Sequence, residues 1–230
     1  MMEYVKTTMI DSLLSRISPH RCSSCGEIGS VLCESCKHDI ISEPFLDCVL
    51  CTVPCGKRGV CGGCARAAGI EQAWCVAERQ GGLKHLLDGY KFESKRAVSS
   101  ACVDLLDAVI PALPTEIAIV GIPSAPSTVR ARGFDHMGRI ADGLAKRRRL
   151  HCAQPLQRIS SATLHFLSAA QRKKLGPTLF RMSENSVPEQ ILLLDDIVTT
   201  GTTFRAAAKL LRGAGVKKIY LAAIARQPLH

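Results

Sequence analysis

Residues 190–204 read Gln-Ile-Leu-Leu-Leu-Asp-Asp-Ile-Val-Thr-Thr-Gly-Thr-Thr-Phe, and this stretch decides the fold. Ile191 to Leu194 form a short, unbroken apolar run, the pattern of a central parallel strand buried on both faces. Asp195 and Asp196 follow at its carboxyl end, where open α/β sheets receive their ligands. Thr199, Thr200, Gly201, Thr202 and Thr203 make a small-residue turn into FRAAAKLLRGAG, a helix rich in Ala and Leu that Gly213 or Gly215 can end. KKIYLAAIA then reads as the next strand, completing a βαβ unit.

The chemistry of such a turn follows from its geometry. Backbone N–H groups at a helix N-terminus converge on a phosphate, and threonine hydroxyls add donors. Gly201 lets the backbone approach closely. Two carboxylates ahead of the turn can accept bonds from the vicinal hydroxyls of a ribose. They also set a negative field that can stabilise oxocarbenium character and orient hydrated Mg²⁺. Asp195 and Asp196 are therefore the candidate catalytic pair, and Thr199 to Thr203 the candidate phosphate cradle.

Upstream, EIAIVGIP (Glu116 to Pro123) reads as a second buried strand, running into SAPSTVRARGFDHMGRIADGLAKRRR. Here the charge concentrates. Between Gly121 and Arg181 stand twelve Lys/Arg and two acids, Asp135 and Asp142, so this segment alone accounts for the chain's net charge of +10. That balance suits a polyanionic partner, nucleic acid or a phosphate-rich ligand. Lys146, Arg147, Arg148 and Arg149 can equally serve as the cationic end of a helix, where they complement its dipole. The aromatic residues Trp74, Tyr90, Phe92, Phe134 and Phe166 are scattered and form no stacking stripe for single strands.

Nine of the twelve cysteines lie between Cys22 and Cys64. Eight form C-x2-C pairs: Cys22/Cys25, Cys33/Cys36, Cys48/Cys51 and Cys61/Cys64. That spacing lets two thiolates grip one tetrahedral zinc ion at about 2.3 Å. A stretch so poor in large apolar residues needs metal ligation to fold. Four-cysteine coordination leaves no open position, so about two structural zinc ions are expected. Successive pairing gives two zinc ribbons, each gap forming a hairpin; interleaved pairing gives a cross-brace. The ribbons are the favoured arrangement. Cys55, a ninth thiol inside the second loop, can replace a neighbour as ligand, though a spectator role is the favoured one; His20 and His38 are not needed as ligands, and Cys75, Cys102 and Cys152 read as core residues.

The opening residues, with Val5, Met9, Leu13 and Ile17 at helical spacing, read as an amphipathic helix over 1–18. No run approaches a membrane span, and no signal peptide is visible, so the cytoplasm is the expected location. Hydrophobic residues make up 47% and aromatics 4%, which suits aliphatic strands packed against helices. The expected organisation is a helix (1–18), a double zinc-ribbon module (19–70) and an α/β domain (71–230).

LLLDDIVTTGTT resembles the phosphoribosyl-diphosphate signature of type I phosphoribosyltransferases. The resemblance implies that Asp195 and Asp196 hold the ribose hydroxyls and that Thr199 to Thr203 cradle the 5-phosphate. It also implies a pyrophosphate loop at Ile122, Pro123 and Ser124, with Arg130 or Arg132 meeting the pyrophosphate. RARGFDH and GGLKHLLDGYKFESKRA (Gly81 to Ala97) are similar to segments of the ComF/GntX family, whose longer members carry the same order of cysteine knuckles, middle segment and signature. Ser127 and Thr128 stand where many members are more basic, and Thr163-Leu-His-Phe where the family often has Thr-x-x-Gln. Membership implies a phosphoribosyltransferase-like protein that binds phosphoribosyl diphosphate with Mg²⁺ and serves DNA uptake or nucleotide metabolism, with protein partners in the uptake route. The alternative is a non-catalytic competence protein that binds DNA, single strands included, and uses the phosphoribosyl site for a regulatory ligand or a nucleic-acid end.

Overall fold

The computed structural model describes residues 20–89, 95–159, 179–183 and 186–228, with only the backbone of residues 95, 131 and 132. The expected N-terminal helix, Tyr90, Phe92, the 163–166 segment and Arg172 to Lys174 lie outside the described residues.

Five strands form one parallel sheet: β1 (Gln72–Glu78), β2 (Ile117–Gly121), β3 (His151–Cys152), β6 (Gln190–Val198) and β7 (Lys218–Arg226). Their spatial order is β1-β7-β6-β2-β3. Ile191 to Leu194 are fully buried, as an aliphatic run between two covered faces requires. Helix α4 (Lys95–Val109) and helix α6 (His136–Arg148) cover one face. Helix α7 (Thr202–Gly213) covers the other. A shorter helix, α5 (Pro126–Arg132), follows β2, and β4 (Leu156–Arg158) pairs antiparallel with β5 (Phe180–Met182) beside the sheet. Fold class and parallel βαβ topology thus match the sequence reading.

Chain order locates the functional end of the sheet. From β2 the chain passes through α5 and α6 to β3 on one side. From β6 it passes through α7 to β7 on the other. The strand order therefore reverses between β2 and β6, and the crevice at such a switch point is where open α/β sheets bind ligands.

The cysteine-rich head is built into the same two apolar layers. Cys22, Val31, Leu32 and Cys36 pack with Leu83 and Leu86 of α3 (Gly81–Asp88) and with α4. Cys48, Val49, Leu50 and Val60 pack with Phe204 and Ala208 of α7. The gaps between cysteine pairs do not form the expected hairpins. Antiparallel contact is limited to single bridges flanking the first pair of each set, Arg21 with Ile28 and Asp47 with Pro54. The second pair of each set opens a helix instead, α1 (Glu34–Ser42) after Cys33 and α2 (Gly62–Ala68) after Cys61. These helix starts bring N–H donors to the sulfurs: Cys33 N–H reaches Cys22 Sγ at 3.4 Å and Cys64 N–H reaches Cys61 Sγ at 3.5 Å. Among the described residues no helix is long and apolar enough to cross a membrane.

Candidate active site and cysteine clusters

Strand β6 runs on past its apolar core and carries both acids within it, still paired to β7, with Asp195 opposite Ala223. Pairing to β2 stops one residue earlier, at Gly121 opposite Leu194, and the Ile122 N–H closes the edge on the Leu194 carbonyl at 2.8 Å. The two carboxylates thus emerge where β2 has ended. The cleft there, about 280 Å³, is lined on one side by Ile122, Pro123 and Ser124 and on the other by Asp195, Asp196 and Thr203. His136 and Arg158 also line it.

His136 is the residue that sequence reasoning missed. It sits within the quoted RGFDH segment, at the first position of α6, and only 4% of its surface is exposed. Its Nε2 donates to Asp196 Oδ2 at 2.6 Å, and Nδ1 stands 3.2 Å from the Ser124 hydroxyl, which can donate to it. One imidazole therefore joins the acid pair to the candidate pyrophosphate loop. Arg158 was counted only among the basic residues of its segment. It reaches the cleft from β4, its guanidinium over the Phe180 ring at 5.5 Å.

The two acids are electrostatically unequal. Burial, and then the charge of Asp196, push the Asp195 carboxyl well above its ordinary range. Burial acts the same way on Asp196, but the His136 hydrogen bond and charge and the Ile197 N–H outweigh it and hold Asp196 below that range. Paired carboxylates driven apart in this way lose their protons in separate steps, Asp196 before Asp195.

Beyond the acids, Gly201 caps α7 with φ +69°, a left-handed conformation costly to any residue with a Cβ. A Cβ there would also meet Leu50 Cδ2 at 2.8 Å. The Thr200 and Thr202 hydroxyls bond one another at 2.8 Å at the exposed mouth of the turn.

The eight knuckle cysteines gather as two successive sets, Cys22/Cys25/Cys33/Cys36 and Cys48/Cys51/Cys61/Cys64, with the sulfurs of each set within 4.8 Å of one another. Four thiolates at about 2.3 Å from a tetrahedral ion stand about 3.8 Å apart. Cys25 and Cys33 are separated by 3.7 Å, and Cys51 and Cys61 by 3.6 Å, so both sets have the dimensions of a zinc site. Their acid–base chemistry fits too. The Cys64 N–H brings the Cys61 thiol down to about 7, while burial and the neighbouring thiols push Cys51 up to about 12. Four crowded sulfurs ionise together only around a cation. Cys55 stays outside the second set, its thiol toward the Leu46 carbonyl at 3.7 Å. His20 and His38 belong to neither set.

The remaining candidates are dispersed. Arg130 is exposed on α5, away from the cleft lining, and the side chain of Arg132 lies outside the described residues. Thr128 lines the cleft instead. Lys146 pairs with Asp142, and Arg147 with Asp104 at 2.5 Å. Arg148 is turned inward: it bonds Asp107 Oδ1 at 2.6 Å and the carbonyls of Asp107, Ile110 and Pro111, closing the C-terminal end of α4. Arg149 is exposed, in left-handed conformation just past α6.

A family model described as phosphoribosyl transferase domain matches residues 115–229, half of the chain and all of the cleft just described. The chain belongs to the phosphoribosyl transferase domain family. Its curated relatives extend the likeness into the cysteine-rich head. "DNA utilization protein YhgH" of Escherichia coli K12 is 26% identical over 220 residues, spanning 78% of this chain and 96% of that protein. The Salmonella typhi protein of the same name is 28% identical, over 85% of this chain and 90% of its own. "Competence protein ComFC" of Streptococcus pneumoniae is 27% identical over 215 residues, 86% of this chain and 84% of that protein. The ComF-type likeness read from the cysteine knuckles and RGFDH is met by these relatives. A Staphylococcus aureus hypoxanthine phosphoribosyltransferase is 15% identical and covers 59% of this chain and 66% of its own, at TM-score 0.31.

Proposed function

We propose that this phosphoribosyltransferase-family chain binds phosphoribosyl diphosphate with Mg²⁺ at the β2/β6 switch point. One juxtaposition carries the reading: an acid pair, one member fixed by His136, lies between a helix-capping threonine turn and the Ile122–Ser124 loop. Asp195 and Asp196 hold the ribose hydroxyls, the Thr199–Thr203 turn holds the 5-phosphate, and Ile122 to Ser124 with Arg158 face the pyrophosphate. Mg²⁺, when bound, offsets the charge of the pyrophosphate, and hard carboxylate oxygens are suitable partners for it. In a transfer reaction an acceptor nitrogen forms the bond to C1 as the C1–oxygen bond breaks and pyrophosphate leaves. Residues here act by positioning and charge. Calorimetric titration with phosphoribosyl diphosphate and Mg²⁺ tests the reading: binding to wild type that disappears in Asp195→Asn/Asp196→Asn supports it, and equal affinity in both overturns it.

A second reading is DNA handling, supported by a groove of about 410 Å³ between α4 and α6 lined by four cations, Arg96, Arg139, Lys146 and Arg147, against one acid, Asp142. Along α6 its lining runs from Arg139, one turn from His136, to Arg147, about 16 Å along the axis from His136 at 1.5 Å rise per residue. The names of the relatives concern DNA use and competence, which favours a cytoplasmic role in DNA uptake with protein partners there. Thiols kept for metal rather than disulfides suit that reducing compartment.

A further inference from the structure

The second cysteine set touches the threonine turn from behind, and two arginines make the connection. Arg205, on the first turn of α7, donates through Nη1 to the Thr200 carbonyl at 2.7 Å and through Nη2 to Cys64 Sγ at 3.3 Å. Arg226, at the carboxyl end of β7, is 1% exposed. Its Nη1 donates to the carbonyls of Val198, where the turn begins, and of Gln227, at 3.0 and 2.9 Å, while its Nε finds no partner. The groups that favour its charge are thiols, Cys75 of β1 ahead of Cys48 and Cys51, while Arg205 opposes it. Leu50, between Cys48 and Cys51, fills the space a side chain at position 201 would need.

A buried guanidinium without a carboxylate is expensive unless another anion faces it. Four thiolates around one divalent ion leave roughly two negative charges in excess. Arg205 and Arg226 supply two positive ones, and both are bonded to the backbone of the turn.

We propose that the metal-loaded Cys48/Cys51/Cys61/Cys64 set is the counter-anion and support of the phosphate turn, with Arg205 and Arg226 as positioning residues that make the order of Val198–Thr203 depend on metal occupancy. The functional meaning of this coupling rests on reading the turn as a phosphate cradle. The coupling is reciprocal: whatever orders the turn also slows metal loss. The first set, packed on the opposite layer against α3 and α4, has no such link to the turn.

The test uses full-length zinc-loaded protein and a chromophoric chelator, with hydrogen exchange of the turn amides read in parallel. Wild type should release zinc in two phases. Arg205→Gln should accelerate one phase about ten-fold, leave the other unchanged and raise exchange across Val198–Thr203, as stripping the metal should in wild type. Arg205→Lys, which keeps the charge but cannot hold both partners, should fall between. Release phases unchanged in Arg205→Gln, or turn exchange identical in loaded and stripped protein, would overturn the proposal. Calorimetry on loaded wild type is read separately: absence of phosphoribosyl diphosphate binding sinks the cradle reading, while the exchange data still decide the coupling.

Discussion

His136 Nε2 lies 2.6 Å from Asp196 Oδ2, sixty residues away in the chain, and this bond helps to hold Asp196 below the ordinary carboxylate range while its neighbour Asp195 is raised above it. His136→Ala removes a bond to a charged group, typically about 1.5–3 kcal/mol, so ligand affinity should fall roughly ten- to a hundred-fold. His136→Gln, which keeps a donor, should recover part of it. Affinity in His136→Ala equal to wild type would show that the bond serves folding alone.

The acid pair should also separate stability from binding. A carboxyl whose folded pKa is raised contributes stability below its unfolded pKa and loses it as pH rises through the folded value, so ionised Asp195 opposes folding at neutral pH. Asp195→Asn should therefore match or exceed wild type in denaturant midpoint at pH 7 while losing the ligand. Asp196 has the opposite sign: its stabilisation is present above the ordinary carboxylate range and is lost as pH falls through its lowered value. Asp196→Asn should lower the midpoint at pH 7, and the difference from wild type should shrink on acidification. Equal midpoints for the two variants at every pH would refute the asymmetry.

Gly201→Ala places a Cβ at φ +69° and against Leu50. The left-handed backbone costs about 1–2 kcal/mol and the contact about 1–3 more. Calorimetry should show ligand affinity falling further than thermal stability, because the turn shifts before α7 melts.

Metal analysis should give about two zinc ions per chain, and chelation should expose the head to protease, since metal binding is part of its folding free energy. Near-zero zinc together with disulfides would overturn this. One zinc alone would assign it to a single set.

For the basic groove, anisotropy titrations of short DNA at several salt concentrations should show steep salt dependence and little sequence preference. Lys146→Ala/Arg147→Ala/Arg149→Ala should reduce the salt slope by roughly two to three and spare the ligand site. Arg148→Ala belongs to a different class: it strips the end of α4 of a half-buried donor to three carbonyls and Asp107, so stability should fall instead. No binding at low salt would sink the DNA-handling reading.

Local chemistry made much of this protein readable from the chain alone. An apolar run, two acids, a glycine turn and an Ala/Leu helix are contiguous, so strand, ligand end and helix start follow from spacing. C-x2-C spacing likewise determines where thiolates can meet, and the sulfurs do gather in successive sets. What tertiary structure alone decided depends on groups far apart in sequence. His136 reaches Asp196 because α6 starts where β2 ends. Arg226 carried a faint signal, a cation closing an apolar strand, but nothing local shows that it turns back to the Val198 carbonyl. Arg148 and Arg149 are neighbours in a run of identical residues, yet one is buried in hydrogen bonds and the other exposed. A residue's type sets which interactions it can make; the packing of distant segments sets which of them it makes, because burial and the directions of hydrogen bonds exist only once those segments meet.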